Sequence, residues 1–131
     1  MPKKTLLIID NSHVLMELTK RILERVGYTV RCSFGQAGAG EFLMDYTPDG
    51  IILENELPDG SGIELCRELR EKYSIPIMLV SGSKDDEVSS LSAGATDFMK
   101  KPFLYDLFKT RLNAMMCMQP ATTRGRRHEK Q

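Results

Sequence analysis

The chain carries no net charge, because 18 Lys and Arg are matched by 18 Asp and Glu over 131 residues. A dedicated nucleic-acid-binding domain is usually basic. A disordered chain usually combines low hydrophobicity with high net charge. The balance argues against both. No apolar run approaches the roughly 18 residues of a transmembrane span. The opening MPKKTLLIID has two lysines but too short an apolar stretch for a secretory signal. Cysteine is scarce: Cys32, Cys66 and Cys117 lie far apart, odd in number and without a CxxC pair. That spacing points to neither a zinc site nor a disulfide framework, so a reduced, cytoplasmic compartment is the expectation.

What is present is enough for one core. Hydrophobic residues make up 41%, which at this length supports a single domain. TLLIID (5–10) reads as a buried strand, since an apolar run without alternation is the mark of a strand covered on both faces. Ser12 is a candidate N-cap for the helix that follows, in which Val14, Leu15, Leu18, Ile22, Leu23 and Val26 recur at helical spacing. Gly27 supplies its stop. TVRCSF (29–34) is a second strand. Residues 36–46 read as a helix weakened by Gly38 and Gly40, and GIILE (50–54) as a third strand after Pro48. LPDGSG (57–62) is a loop on its turn chemistry. A helix over 63–73 carries Ile63, Cys66, Leu69 and Arg70. IPIMLVSG gives the fourth strand, KDDEVSSLSAG a short polar helix ending at Gly94, and ATDFMK the fifth strand. A last helix begins with Pro102 near its first turn and has Leu104, Leu107, Phe108, Leu112 and Met115 as its apolar stripe.

Five strands alternating with five helices predict an α/β fold with a parallel sheet and helices on both faces. Right-handed crossovers make it doubly wound and flavodoxin-like, with strand order 2-1-3-4-5. Sites on such sheets form beyond the carboxyl ends of the strands. Those ends deliver Asp10 and Asn11, then Glu54, Ser81 and Lys101: acidic, hydroxyl and cationic groups from four strands on one edge.

In these residues the chain resembles the receiver domains of bacterial two-component response regulators, the CheY-like proteins, over roughly residues 4–118. The resemblance rests on IIDN, ENELPDGSG, LVSG and GATDFMKKPF. It implies phosphorelay signalling: an acidic pair after the first strand that binds Mg²⁺, an aspartate ending the third strand that accepts a phosphoryl group from a histidine kinase, and a hydroxyl and a lysine that contact the phosphoryl oxygens. Ser81 and Lys101 stand at those last two positions. Phe98 stands at the aromatic that changes rotamer in many receivers, and Pro58 and Gly62 match the loop after the acceptor.

Two positions depart from the pattern. Glu54 stands at the acceptor position, four residues before Pro58, and a one-residue shift to Asn55 would turn the side chain to the other strand face. Asn11 replaces one acid of the pair. Glutamate is one methylene longer, about 1.5 Å of extra reach, and phosphoryl transfer depends on positioning. Mg²⁺ prefers carboxylate oxygens, so Asp10, Asn11 and Glu54 imply at most weak binding and no required cofactor. The expected function is therefore an atypical receiver, not an enzyme, not phosphorylated at Glu54 and acting as a protein-interaction module. Glu54 then either partly mimics a phosphorylated aspartate or simply pairs with Lys101. A receiver with an unusual acceptor and weak Mg-dependent self-dephosphorylation is the alternative. A small-molecule binder is a third reading, disfavoured because no phosphate-cradling loop follows the first strand.

The partner implied is a histidine kinase or downstream effector, with neither membrane nor direct nucleic acid. The face of the fourth helix, fifth strand and fifth helix is the family's usual output and dimer surface. Val88, Leu91, Phe98, Tyr105, Lys109 and Arg111 are candidates to line it, and a homodimer through it is an expectation. His13 reads as an exposed loop residue. Met115, Met116 and Met118 with Cys117 read as core and helix-end packing, and Asp85, Asp86 and Glu87 as acids favouring a helix N-terminus. Residues 1–118 form the expected domain, with net charge −3. Residues 119–131, net +3, read as a basic, disordered tail or linker.

Overall fold

The computed structural model describes residues 3–118; the basic stretch 119–131 lies outside them. Five strands, β1 (Thr5–Asp10), β2 (Thr29–Phe34), β3 (Gly50–Glu54), β6 (Ile77–Ser81) and β7 (Asp97–Lys100), form one sheet in the order β2-β1-β3-β6-β7. All its pairings are parallel. This is the doubly wound arrangement expected from the sequence. A two-residue antiparallel hairpin, β4 (Glu56–Leu57) with β5 (Gly60–Ser61), follows β3. It corrects the reading of 57–62 as a plain loop: turn residues sit at its tip, but Leu57 is buried and anchors it.

Strand alternation sorts the core into two layers. Leu7, Ile9, Ile51, Leu53, Ile77, Leu79 and Phe98 face α2 (Gly35–Asp45), α3 (Gly62–Lys72) and α4 (Asp86–Ser92). Leu6, Ile8, Ile52, Met78, Val80 and Met99 face α1 (His13–Arg25) and α5 (Tyr105–Cys117). Each fully buried aliphatic side chain is worth about 1.5–3 kcal/mol. These rows, buried on both sides, explain why the central strands read as uninterrupted apolar runs.

The Ser12 hydroxyl accepts from the Leu15 N–H at 3.1 Å and caps α1, as expected. The expected α1 stripe holds at Leu23 and the half-buried Ile22 but is corrected elsewhere. Val14, Leu15, Leu18 and Val26 are exposed, and α1 meets the core through Met16 and Leu23. Helical period alone does not say which of two apolar stripes turns inward. On α5, Leu104 and Leu107 are likewise exposed, while Phe108, Leu112, Met115 and Met116 are buried. The helix starts at Tyr105, so Pro102 precedes it rather than joining its first turn. Met118 and Cys117 are exposed at its end, and all three cysteines are free thiols.

Candidate functional site

The order of the sheet places β1 beside β3, the point where connections diverge to the two sides. Ile9 pairs with Leu53, so Asp10 and Glu54 leave the sheet side by side. Ser81 ends β6 opposite Lys100, and Lys101 follows. The four strand ends therefore converge, as their positions in the sequence require.

Glu54 is 3% exposed. Its Oε2 accepts from the Glu56 N–H at 3.0 Å. Oε1 makes no conventional hydrogen bond; its compensation is an ion pair with the Lys101 ammonium. The charge of a buried carboxylate is costly unless paired, and Lys101 supplies the pair. Burial pulls the Lys101 ammonium down, but Glu54, with Asp10 and Glu56 adding their charge, outweighs burial and holds it above the usual lysine value.

Asp10 is half-buried and Asn11 exposed. Asp10 Oδ1 accepts the Asn11 backbone N–H at 2.6 Å, and Asn11 Nδ2–H donates to the Glu56 carbonyl at 2.6 Å. Ser81 is 1% exposed. Its hydroxyl donates to the Asp86 carboxylate on α4, which also accepts Asn55 Nδ2–H at 3.1 Å. Ser81 Oγ in turn accepts the Ser83 N–H at 3.1 Å. The sequence reading placed Asp86 only at a helix N-terminus. It is there, in the first turn of α4, but it also gathers Ser81 and Asn55. Asn55 Oδ1 accepts the Ile63 N–H at 3.0 Å and the Ser61 hydroxyl at 3.2 Å, tying β3, the hairpin, α3 and α4 together.

The loop after Glu54 is fixed twice more. At Gly62, a Cβ would lie 2.2 Å from the Glu54 carbonyl oxygen and 2.8 Å from Asn55 Cα, so only glycine lets α3 start this close to β3. Asp59, at the hairpin tip, accepts the Gln36 and Ala37 N–H groups at 2.9 and 3.1 Å. It thereby caps α2, whose own N-cap residue Phe34 offers no side-chain acceptor. These backbone hydrogen bonds hold its carboxyl below the ordinary aspartate value.

Phe98 is 4% exposed and packs in the layer facing α2, α3 and α4. His13 is exposed as expected, but as the first residue of α1 rather than in a loop. It stacks on Phe34 with ring centroids 4.3 Å apart and planes 7° off parallel.

As a metal site the edge is a poor fit. Among the described residues no group of three or more His, Cys, Asp or Glu side chains is placed to hold an ion. Asp10 Oδ1, Glu54 Oε2 and the Glu56 carbonyl already accept donors from the chain itself, and Glu54 Oε1 is paired with the Lys101 ammonium. A groove between α2 and α3, lined in part by Ala39, Leu43, Leu65, Leu69 and Tyr73, lies away from Glu54. No helix among the described residues is long and apolar enough to cross a membrane.

The fold agrees with comparison to known proteins. Residues 6–113 match the family model of the response regulator receiver domain. Among solved structures, a signal receiver domain of a signal transduction histidine kinase from Syntrophus aciditrophicus is 30% identical, with a TM-score of 0.79, covering 86% of this chain and 89% of that one. A Chloroflexus aurantiacus protein assigned to the response regulators is 26% identical, with a TM-score of 0.84, covering 89% of this chain and all of that one. A two-component response regulator from Clostridium difficile, at 24% identity, shares the fold with a TM-score of 0.82 over 87% of this chain and 96% of that one. With its sheet order, its converging strand ends and a family match over most of its length, the chain belongs to the response regulator receiver domains.

Proposed function

We propose that this receiver is not phosphorylated at Glu54 and signals as a protein-interaction module. The observation that carries the reading is the buried Glu54–Lys101 ion pair at the acceptor position. A phosphoryl acceptor must present its oxygen in line to the donor, and small misplacements are costly. Here the carboxylate is longer than aspartate, buried and engaged. The lysine that the family resemblance assigns to phosphoryl oxygens is bound to it. Ser81, the other expected phosphoryl contact, gives its hydroxyl to Asp86 rather than to Glu54. Glu54 therefore reaches one of the two groups a phosphorylated aspartate would engage. That favours a domain held in one conformation over a full mimic of the activated form.

The partner is a protein, a histidine kinase or a downstream effector, met in the cytoplasm by the face of α4, β7 and α5. On it Val88 is 75% exposed and Leu91 46%, while Phe98 lies beneath rather than on it. Arg111 crosses from α5 to β7, with Nη1 3.6 Å from Asp97 Oδ1 and a hydrogen bond of 3.1 Å to the Phe98 carbonyl. Tyr105 and Lys109 flank it, half-buried. A second copy of the chain on this face is the homodimer version of the reading. No cofactor or turnover is required. The folded part, net acidic, does not favour direct nucleic-acid binding.

Incubation with a small-molecule phosphodonor and Mg²⁺, followed by intact-mass measurement, tests the central claim. No mass change is expected. A stoichiometric gain of about 80 Da, one phosphoryl group, located on Glu54 would overturn it.

A further inference from the structure

The segment after Glu54 is held by a side chain from a different strand end. Asn11 Nδ2 lies 2.6 Å from the Glu56 carbonyl, 45 residues along the chain. A carbonyl oxygen only accepts, so the atom facing it is the amide nitrogen and the hydrogens point inward. The same residue's backbone N–H occupies Asp10 Oδ1. Glu54 Oε2 is occupied by the Glu56 N–H, and Oε1 by the Lys101 ammonium. Each of these oxygens, which a small hard cation would seek, meets either a hydrogen-bond donor or the Lys101 cation. Asn11 contributes two of those donors.

We infer that Asn11 is a positioning residue standing in for a divalent cation: its amide ties the first strand end to the Glu54–Glu56 segment, so this receiver holds its loop without Mg²⁺. The inference rests on the reading of this edge as the acceptor site of a receiver. A cation arriving beside Asp10 meets the positive end of the amide dipole. Turning the amide to offer its oxygen breaks the bond to Glu56. Mg²⁺ sheds its water reluctantly and demands near-octahedral oxygen ligands, which two already engaged carboxylates do not supply. An acid at position 11 has no donor to give the carbonyl and adds a second hard ligand beside Asp10. The same substitution therefore removes the tie and opens the site.

Thermal unfolding of the full chain, with and without about 10 mM Mg²⁺ at matched ionic strength, reads this directly. The native chain is expected to shift by less than about 1 °C, and N11D to rise by about 3–5 °C on adding Mg²⁺. N11A, which removes the amide without adding charge, keeps the claim testable if N11D folds poorly. Its Glu56 and Gly62 amides should exchange about five- to tenfold faster than in the native chain, with no response to Mg²⁺ in either. A native chain that responds to Mg²⁺ as strongly as N11D overturns the inference. So does an N11D chain that does not respond, or an N11A chain whose exchange is unchanged. A phosphoryl adduct on native Glu54, with the unfolding midpoint still indifferent to Mg²⁺, would remove the earlier reading and leave this one standing.

Discussion

The two ends of the sheet each hold one half-buried cation, and the two are used in opposite ways. At the amino end, Arg70 of α3 donates through Nε to the Gly94 carbonyl at 2.9 Å. It donates through Nη1 to Ile75 and Tyr73 at 2.7 and 3.3 Å, and through Nη2 to the Thr96 hydroxyl at 3.2 Å. None of these partners carries charge, and burial lowers its pKa from the ordinary arginine value. At the carboxyl end Lys101 is also half-buried, yet it is held above its ordinary value because Glu54 faces it. Arg70 serves backbone carbonyls that helix and strand ends leave without partners. Lys101 serves a charge that the fold did not need to bury. The first ties backbone ends together; the second pairs with a carboxylate buried at the strand ends.

Substitutions separate the two roles. Arg70→Met should cost the most, about 3 kcal/mol in urea unfolding, because hydrogen bonds from a charged donor are lost and half-buried carbonyls are left without it. R70K should recover less than half, since one ammonium cannot reproduce the fork. Lys101→Met should cost less, about 2 kcal/mol, discounted from a fully buried pair because the lysine is about a third exposed. Adding E54Q should return much of that loss, which no second change at Arg70 would do. The pair also sets an alkaline limit. With the folded lysine pKa raised, its contribution is complete below about 10.4, the unfolded value, and disappears as pH climbs through the folded one. K101M should lose that part of the alkaline transition.

Asp59 gives the smallest effect and the opposite sign. Its folded pKa is lowered, so its contribution is present above about 3.9 and is lost as pH falls through the folded value. D59N should be slightly less stable than the native chain at neutral pH, and the gap should close in acid.

How much of this was legible in the sequence follows from where the signal resides. The central strands are buried on both faces, so apolar runs announced them, and parallel order then put Asp10, Glu54, Ser81 and Lys101 on one edge. The short hairpin was missed because two-residue strands leave no periodicity. The inward face of α1 was read correctly at Leu23 but Met16 was missed, because Leu15 and Leu18 repeat at helical spacing with Leu23 as regularly as Met16 does. Arg70 resembled any basic residue near a helix end. Its partners are mostly main-chain carbonyls, which have no letter in a sequence. Asn11 stood out as a departure from the family, but its partner is again a carbonyl. Asp59 looked like a turn residue, and its role at α2 depends on the hairpin folding back 22 and 23 residues. Interactions between side chain and distant backbone are the class that the sequence conceals.

The close approach of Gly62 to the carbonyl of Glu54 has a consequence for exchanges at position 54 itself. The chain there is wedged: α3 begins against the strand end, and neither can slide along the other to absorb a change in length. Trading glutamate for aspartate would thus retract the carboxylate by one bond, about 1.5 Å, while leaving the strand where it was, so that the pair could be remade only by movement of the Lys101 side chain. The wedge turns a one-carbon difference in side chain into a pure change of reach.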